Sequence, residues 1–218
     1  MYKFFFLAVS ISLFACSKSA INRVATQQTT TSVTTPKETP ATAKAEILAF
    51  QKKLREDYKN PDSSPLGEKA TEFTGHEFFP IDLNYRVTAK FKAYELEDFF
   101  TIPTSGPREA IYRKFGLLTF KIAGKTHQLT VYQNKDLIRN PIYKNYLFLP
   151  FTDATNGDTT YGGGRYIDMS IPTGKTVILD FNQAYNPYCA YVDGYSCPIP
   201  PEENDLDIGV KAGIMLEQ

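Results

Sequence analysis

The 218-residue chain predicts a mainly β fold, an antiparallel β-barrel or β-sandwich with one N-terminal helix. Three observations carry that reading. At least seven short segments have strand character, and the clearest alternates apolar with polar residues. Turn residues separate them, notably Ala123-Gly124-Lys125, Asn156-Gly157 and Pro172-Thr173-Gly174. Tyr and Phe supply all of a 14% aromatic content, with no Trp, and such residues suit a pleated, half-buried surface.

The elements follow in order. "MYKFFFLAVSISLFAC" places Lys3 before an apolar run from Phe4 to Phe14 that is too short to span a bilayer. It has the shape of a secretion signal, assigned here to residues 1–15. Its end, Leu13-Phe14-Ala15-Cys16, resembles the bacterial lipobox, with Phe14 bulkier than usual. That resemblance implies that Cys16 is acylated, becomes the mature N-terminus and anchors the protein to a membrane. The alternative is an ordinary cleaved signal with a coincidental cysteine. Ser17 in place of Asp resembles the outer-membrane sorting default. Residues 16–38 are rich in Thr and Ser and poor in apolar side chains, so they read as a disordered tether.

One β-rich domain is expected over residues 39–218. Thr39-Pro40 reads as an N-cap followed by Pro at the first helical position. Ile47, Phe50 with Gln51, Leu54 and Tyr58 form one stripe, and Asn60-Pro61 ends the helix. In "YRVTAKFKAY", Tyr85, Val87, Ala89, Phe91 and Ala93 face one way and Arg86, Thr88, Lys90 and Lys92 the other. "KFGLLTFKIAGKTHQLTVYQ" reads as a hairpin. "YLFLPF", "RYIDMSI" and "KTVILDF" are further strands, and "DIGVKAGIML" reads as a last one.

Composition narrows the function classes. With 24 basic and 24 acidic residues the net charge is zero, so nucleic acid is not an expected partner. Only two histidines are present, His76 and His127, which weakens metal-centre and Ser-His-Asp readings. No metal and no cofactor is expected. Asp153-x-Thr155-x-Gly157 faintly resembles a calcium loop, but glycines stand at its fifth and twelfth positions, Gly157 and Gly164. "YGGGR" lacks the Gly-Lys-Ser/Thr of a phosphate loop. Its Arg165 offers a fork for a carboxylate or phosphate, or else pairs with an internal Asp.

The densest stretch is "ILDFNQAYNPYCAYVDGYSCPIPPEEN". On its strand Val177, Leu179 and Phe181 share one face, and Asp180 and Asn182 the other. If Arg165 and Asp180 lie on strands joined by the short turn over residues 172–175, a hairpin brings them together with Asn182 beside the following loop. Cys189 and Cys197 bracket an Asp193-Gly194 turn. They read as a disulfide, as unpaired structural thiols, or as a nucleophile or metal ligands.

"FFPIDLNYRVTAKF", "YLFLPFTDATNGDTTYGGGRYIDM", the Asn/Tyr/Cys stretch above and the terminal "VKAGI" together resemble the bacterial domain of unknown function 1684 family, in the style of Bacteroidetes members. The resemblance runs from about Ile47 to Met215. It implies a shared set of Arg165, Asp180, Asn182, Tyr185, Asn186, Cys189, Cys197 and Asn204, but no activity. "AGIML" departs from the Ala-Gly-Glu of many relatives, although Glu217 is near.

The expectation is therefore a lipid-anchored envelope domain, sorted to the outer membrane, that binds a small anionic or polar ligand. Its candidate ligand residues are Arg165, Asp180, Asn182, Tyr185, Asn186 and Asn204. The rivals are a hydrolase with Asp180 as base and Arg165 as electrophile, and a purely structural domain.

Overall fold

The computed structural model describes residues 38–95 and 97–216. The expected signal peptide, the lipidated Cys16, the tether up to residue 37 and Glu217 lie outside them. Helix α1 runs over Pro40–Lys59, with Thr39 as N-cap and Asn60 as C-cap, as the capping pattern predicts. The Thr39 hydroxyl accepts from the Thr42 amide at 3.2 Å, and the Thr42 hydroxyl lies 2.9 Å from the Thr39 amide. Of the expected stripe, Ile47, Gln51 and Tyr58 are buried, while Phe50 and Leu54 are half-exposed at its edge.

The strands are β1 (Arg86–Ala93), β2 (Phe100–Ile102), β3 (Ala110–Ile122), β4 (Lys125–Asn134), β5 (Tyr146–Asp153), β6 (Arg165–Ser170), β7 (Thr176–Asp180) and β8 (Asp205–Leu206). They form a mainly antiparallel, curled half-barrel in the order β6-β5-β4-β3-β1-β7, with β2 on β3 and β8 on β5. The β3–β4 hairpin turns at Ala123-Gly124, where both residues have positive φ, 48° and 81°. That is the twist a two-residue hairpin turn requires.

Alternation sorts the side chains between two apolar clusters. From β5, Leu147, Leu149 and Phe151 enter the main core with Ala89, Leu118, Val131, Ile167 and Leu179. Phe148, from the same strand, points to the opposite face. There it joins Tyr112, Tyr132 and Tyr166 in a second cluster, with Tyr146 and Tyr185 packed against it. The tyrosine-rich composition thus builds a second, more polar core layer.

Two expectations about topology are corrected. β6 and β7 stand at opposite ends of the strand order, so no hairpin forms between them. β7 instead pairs with β1, Leu179 opposite Val87 and Asp180 opposite Arg86. The competing pairing wins because β1 and β7 then send Ala89, Val87, Val177 and Leu179 into one core. The C-terminal "DIGVKAGIML" is not a strand. Asp205–Leu206, just before it, pairs in parallel with β5, Ile214 makes one isolated bridge to Phe78, and the chain between is an irregular ribbon that buries Val210, Ala212 and Ile214.

Candidate functional site

Arg165 has no solvent exposure, and its charge is answered inside the domain. Its Nη2 donates to Asp153 Oδ2 at 2.7 Å and to the Val210 carbonyl at 2.9 Å. Its Nη1 donates to the carbonyls of Ala212 and Ile214 at 2.6 and 3.3 Å. Asp153 Oδ1 accepts from the amides of Thr155 and Val210 and from the Thr155 hydroxyl. This one ion pair therefore fastens the C-terminal ribbon to β5 and β6. It also explains the calcium-like Asp-x-Thr spacing: Asp153 closes its own turn and holds an arginine. Gly164, just before Arg165, has φ +83°, and a Cβ there would lie 2.7 Å from the Phe151 carbonyl. The glycine run is a close backbone crossing.

Asp180 does not meet Arg165, contrary to the expected cluster. It pairs with Arg86, Nη1 to Oδ2 at 2.6 Å, directly across the β1–β7 ladder. Arg86 also reaches Glu46 at 2.6 Å and contacts Glu38. The alternation of β1 placed Arg86 on a wet face, and the sequence holds no sign that β7 would cover it. Asp180 Oδ1 also accepts from the amide and the side chain of Asn182.

The asparagines act as backbone clasps. Asn182 accepts from the Asp82 amide and donates to the Asp82 carbonyl, both at 3.0 Å. Asn204, fully buried, accepts from the Thr130 amide and donates to the carbonyls of Thr130 and Pro150. Asn186 donates to the Tyr191 hydroxyl at 3.2 Å. Cys189 and Cys197 form a disulfide, Cα to Cα 6.3 Å. The loop it closes is tied to residues 105–108: the Ser105 amide donates to the Cys197 carbonyl at 2.9 Å, and the Arg108 amide to Ser196 Oγ at 3.1 Å.

Tyr185 differs from the rest of the expected set because it lines two openings and takes part in no ion pair or backbone clasp by its side chain. Its backbone pairs with Tyr166 on the free edge of β6, N to O at 2.9 and 3.0 Å. That bridge brings its hydroxyl to Asp168 Oδ1 at 2.6 Å. The Tyr146 hydroxyl donates to the same oxygen at 2.7 Å. Tyr146 lies diagonally across the β5–β6 ladder from Asp168, since Phe148 is directly opposite Asp168. Asp168 forms no ion pair with any Lys or Arg among the described residues, and its Oδ2 receives no donor from them.

Three depressions meet at this pair. One of about 450 Å³ lies between α1 and the β6 edge, lined by Phe50, Leu54, Asp168, Tyr185 and Tyr188, with Lys53 and Asp57 at its rim. Lys53 and Asp57 are bonded to each other at 2.6 Å. A second runs along the unpaired gap between β6 and β7 and is shared by Asp168 and Asp180. A third lies over the tyrosine layer and reaches Tyr195 and Cys197.

Asp168 is open to solvent along the cleft, while protein surrounds it on its other sides, so its desolvation is partial. Burial raises its carboxyl above the ordinary value, and the two tyrosine hydrogen bonds offset only part of that. The Tyr185 hydroxyl is pushed well above its ordinary value, first by burial and then by the Asp168 charge. Tyr146 shifts the same way for the same reasons. Both phenols stay protonated as donors. Chemically, the site offers an acceptor with one free oxygen, two fixed hydroxyls and aromatic walls. Among the described residues, no group of three or more His, Cys, Asp or Glu is placed to hold a metal ion.

Sequence reasoning singled out Tyr185 and missed Asp168 and Tyr146. A carboxylate on the polar face of "RYIDMSI" looks like any solvated strand position. Only the Tyr166–Tyr185 bridge makes it a cleft floor.

No curated protein matches the chain. It is similar to an uncharacterised protein of Haloarcula marismortui solved by solution NMR, at 32% identity and a TM-score of 0.62, covering 80% of this chain and 95% of that one. The family model described as "Protein of unknown function (DUF1684)" matches residues 71–215, a span holding Arg165, Asp153, Asp168, Tyr185 and both bridged cysteines. The chain belongs to the DUF1684 family.

Proposed function

We propose that this is a lipid-anchored cell-envelope protein of the Bacteroidetes lipoprotein type, whose β domain binds a small polar ligand in the cleft around Asp168. The observation that carries the binding reading is the contrast among its carboxylates. Asp153 and Asp180 are neutralised by Arg165 and Arg86. Asp168 has only two neutral hydroxyl donors and an open side. A partly desolvated carboxylate beside an aromatic cavity is the arrangement of a recognition site. Of the ligand residues expected from sequence, Tyr185 forms the wall, Asp180 borders the adjoining groove, and Arg165, Asn182, Asn186 and Asn204 hold the frame. Anchoring rests on Leu13-Phe14-Ala15-Cys16 and the Thr/Ser-rich stretch after it. A thermal-shift screen of the purified protein against a metabolite library tests the binding reading, because a ligand for the folded state raises its apparent stability. A hit whose shift disappears in Tyr185→Phe supports it. Hits that ignore changes at Asp168 and Tyr185 contradict it.

A further inference from the structure

We propose that the group recognised in this cleft is an organic cation, an alkylammonium, held by the free Asp168 oxygen with its hydrocarbon part against Phe50, Leu54 and Tyr188. The inference rests on the cleft being the ligand site and goes on to name the ligand's chemistry. Four observations converge on it. The first is sign: the charged side chains lining the depression between α1 and the β6 edge are Lys53, Asp57 and Asp168, and Lys53 is already spent on Asp57. The adjoining groove adds Glu46, Asp180 and Arg86, and Arg86 is spent on Glu38, Glu46 and Asp180. The third depression adds Arg108, which forms no ion pair among the described residues, but Asp168 does not line that depression. An anion between α1 and the β6 edge would therefore meet a carboxylate with no free cation lining the same space. A cation would supply the charge that the fold withholds from Asp168.

The second is the geometry of the carboxylate. Tyr146 and Tyr185 both donate to Oδ1, which fixes the plane of the group and leaves Oδ2 as the acceptor. An ammonium N–H can take that oxygen, forming a charge-assisted hydrogen bond. The third is the wall. Aromatic rings attract a cation through their negative faces, and the attraction grows where water is excluded. Tyr185 and Tyr188 line the cavity together with the apolar Phe50 and Leu54. A hydrated metal ion would gain little from such a wall, whereas an amine with an alkyl body matches both parts. The fourth is order. Tyr185 is locked by its backbone bridge to Tyr166, and Tyr188 directly precedes a disulfide-bonded cysteine, so the wall is built before a ligand arrives.

The test uses four probes with short alkyl chains and head groups that are cationic, neutral or anionic: n-butylammonium and butyltrimethylammonium, n-butanol, and n-butyrate. Each is titrated into the intact protein, and backbone amides of Asp168, Tyr185 and Tyr188 are followed by NMR. The ammonium probes are expected to shift these amides saturably, at roughly ten-fold or more lower concentration than butanol, while butyrate leaves them unmoved. Asp168→Asn keeps an acceptor for both tyrosines and should remove the preference for ammonium while leaving the weak butanol response. Tyr188→Leu, at a position 46% exposed, should weaken the trimethylammonium probe most. If butanol or butyrate binds the cleft as well as the ammonium probes do, the cation class is wrong and the cleft remains a ligand site. If no probe moves the cleft amides, the cation inference is overturned, and the metabolite screen separately decides whether the cleft binds anything.

Discussion

Asp153 is buried and Asp168 lies open along a cleft, and the two differ in what answers their charge. Asp153 is held by a buried arginine and three further donors, so removing Arg165 strands a charge. Arg165→Ala should cost about 3–5 kcal/mol in denaturant unfolding. Combining it with Asp153→Ala should cost clearly less than the sum of the two single changes. Asp180→Ala leaves Arg86 with Glu38 and Glu46 and touches no partner of Arg165, so its effect should be smaller and additive with that of Arg165→Ala. Asp168 predicts the opposite sign. Its folded carboxyl lies above the ordinary value because of burial. Whatever stability its protonated form lends is complete below the unfolded value of about 3.9 and is lost as pH rises through the folded value. Asp168→Asn should therefore match the wild type in melting temperature at low pH and exceed it at neutral pH. A variant less stable than wild type at pH 7 would contradict the reading that this carboxylate is kept for a ligand.

At the scale of elements, legibility followed locality. The helix limits, the Ala123-Gly124 hairpin and the faces of β1 and of β7 up to Asp180 were readable, because capping, turn chemistry and alternation act over a few residues; the strand expected to run on through Asn182 instead ends in a 3-10 turn over Phe181–Gln183. Pairings that depend on distant chain were not. Nothing near Arg86 announces that β7 will cover it, and nothing in "VKAGI" says that its carbonyls will satisfy Arg165. That ribbon turns at Gly213, where φ is +79° and a Cβ would stand 2.6 Å from the Phe181 carbonyl. Gly213→Ala should cost about 2–5 kcal/mol, combining left-handed strain with overpacking, as read from thermal or urea unfolding. The disulfide closes a loop between positions separated by 8 in sequence. Replacing both Cys189 and Cys197 by Ala should cost roughly 2–3 kcal/mol in the chain-entropy model. If the loop also shapes the wall, the double variant should loosen Tyr188 and Tyr195, which hydrogen exchange in residues 188–196 would report.

For the whole molecule, the sequence carried the β class and the family resemblance, while the cleft came only from tertiary structure. Tyr146, Asp168 and Tyr185 come from three segments, and α1 supplies Phe50 and Leu54 from a fourth. No local period can place such a set together. The proposed anchoring is tested separately: Cys16→Ser should move the protein out of the membrane fraction and abolish labelling by a clickable palmitate, and persistent labelling would end that idea. At the centre of the molecule's proposed role, Asp168 is a carboxylate left unneutralised for a cationic ligand. The most direct measurement is an NMR pH titration of its side-chain carboxyl carbon, with and without n-butylammonium. The expected midpoint lies above about 3.9 in the free protein and moves down when the ammonium is present, since a cation favours the ionised form. A midpoint at or below the ordinary value, unmoved by the ammonium, would contradict it.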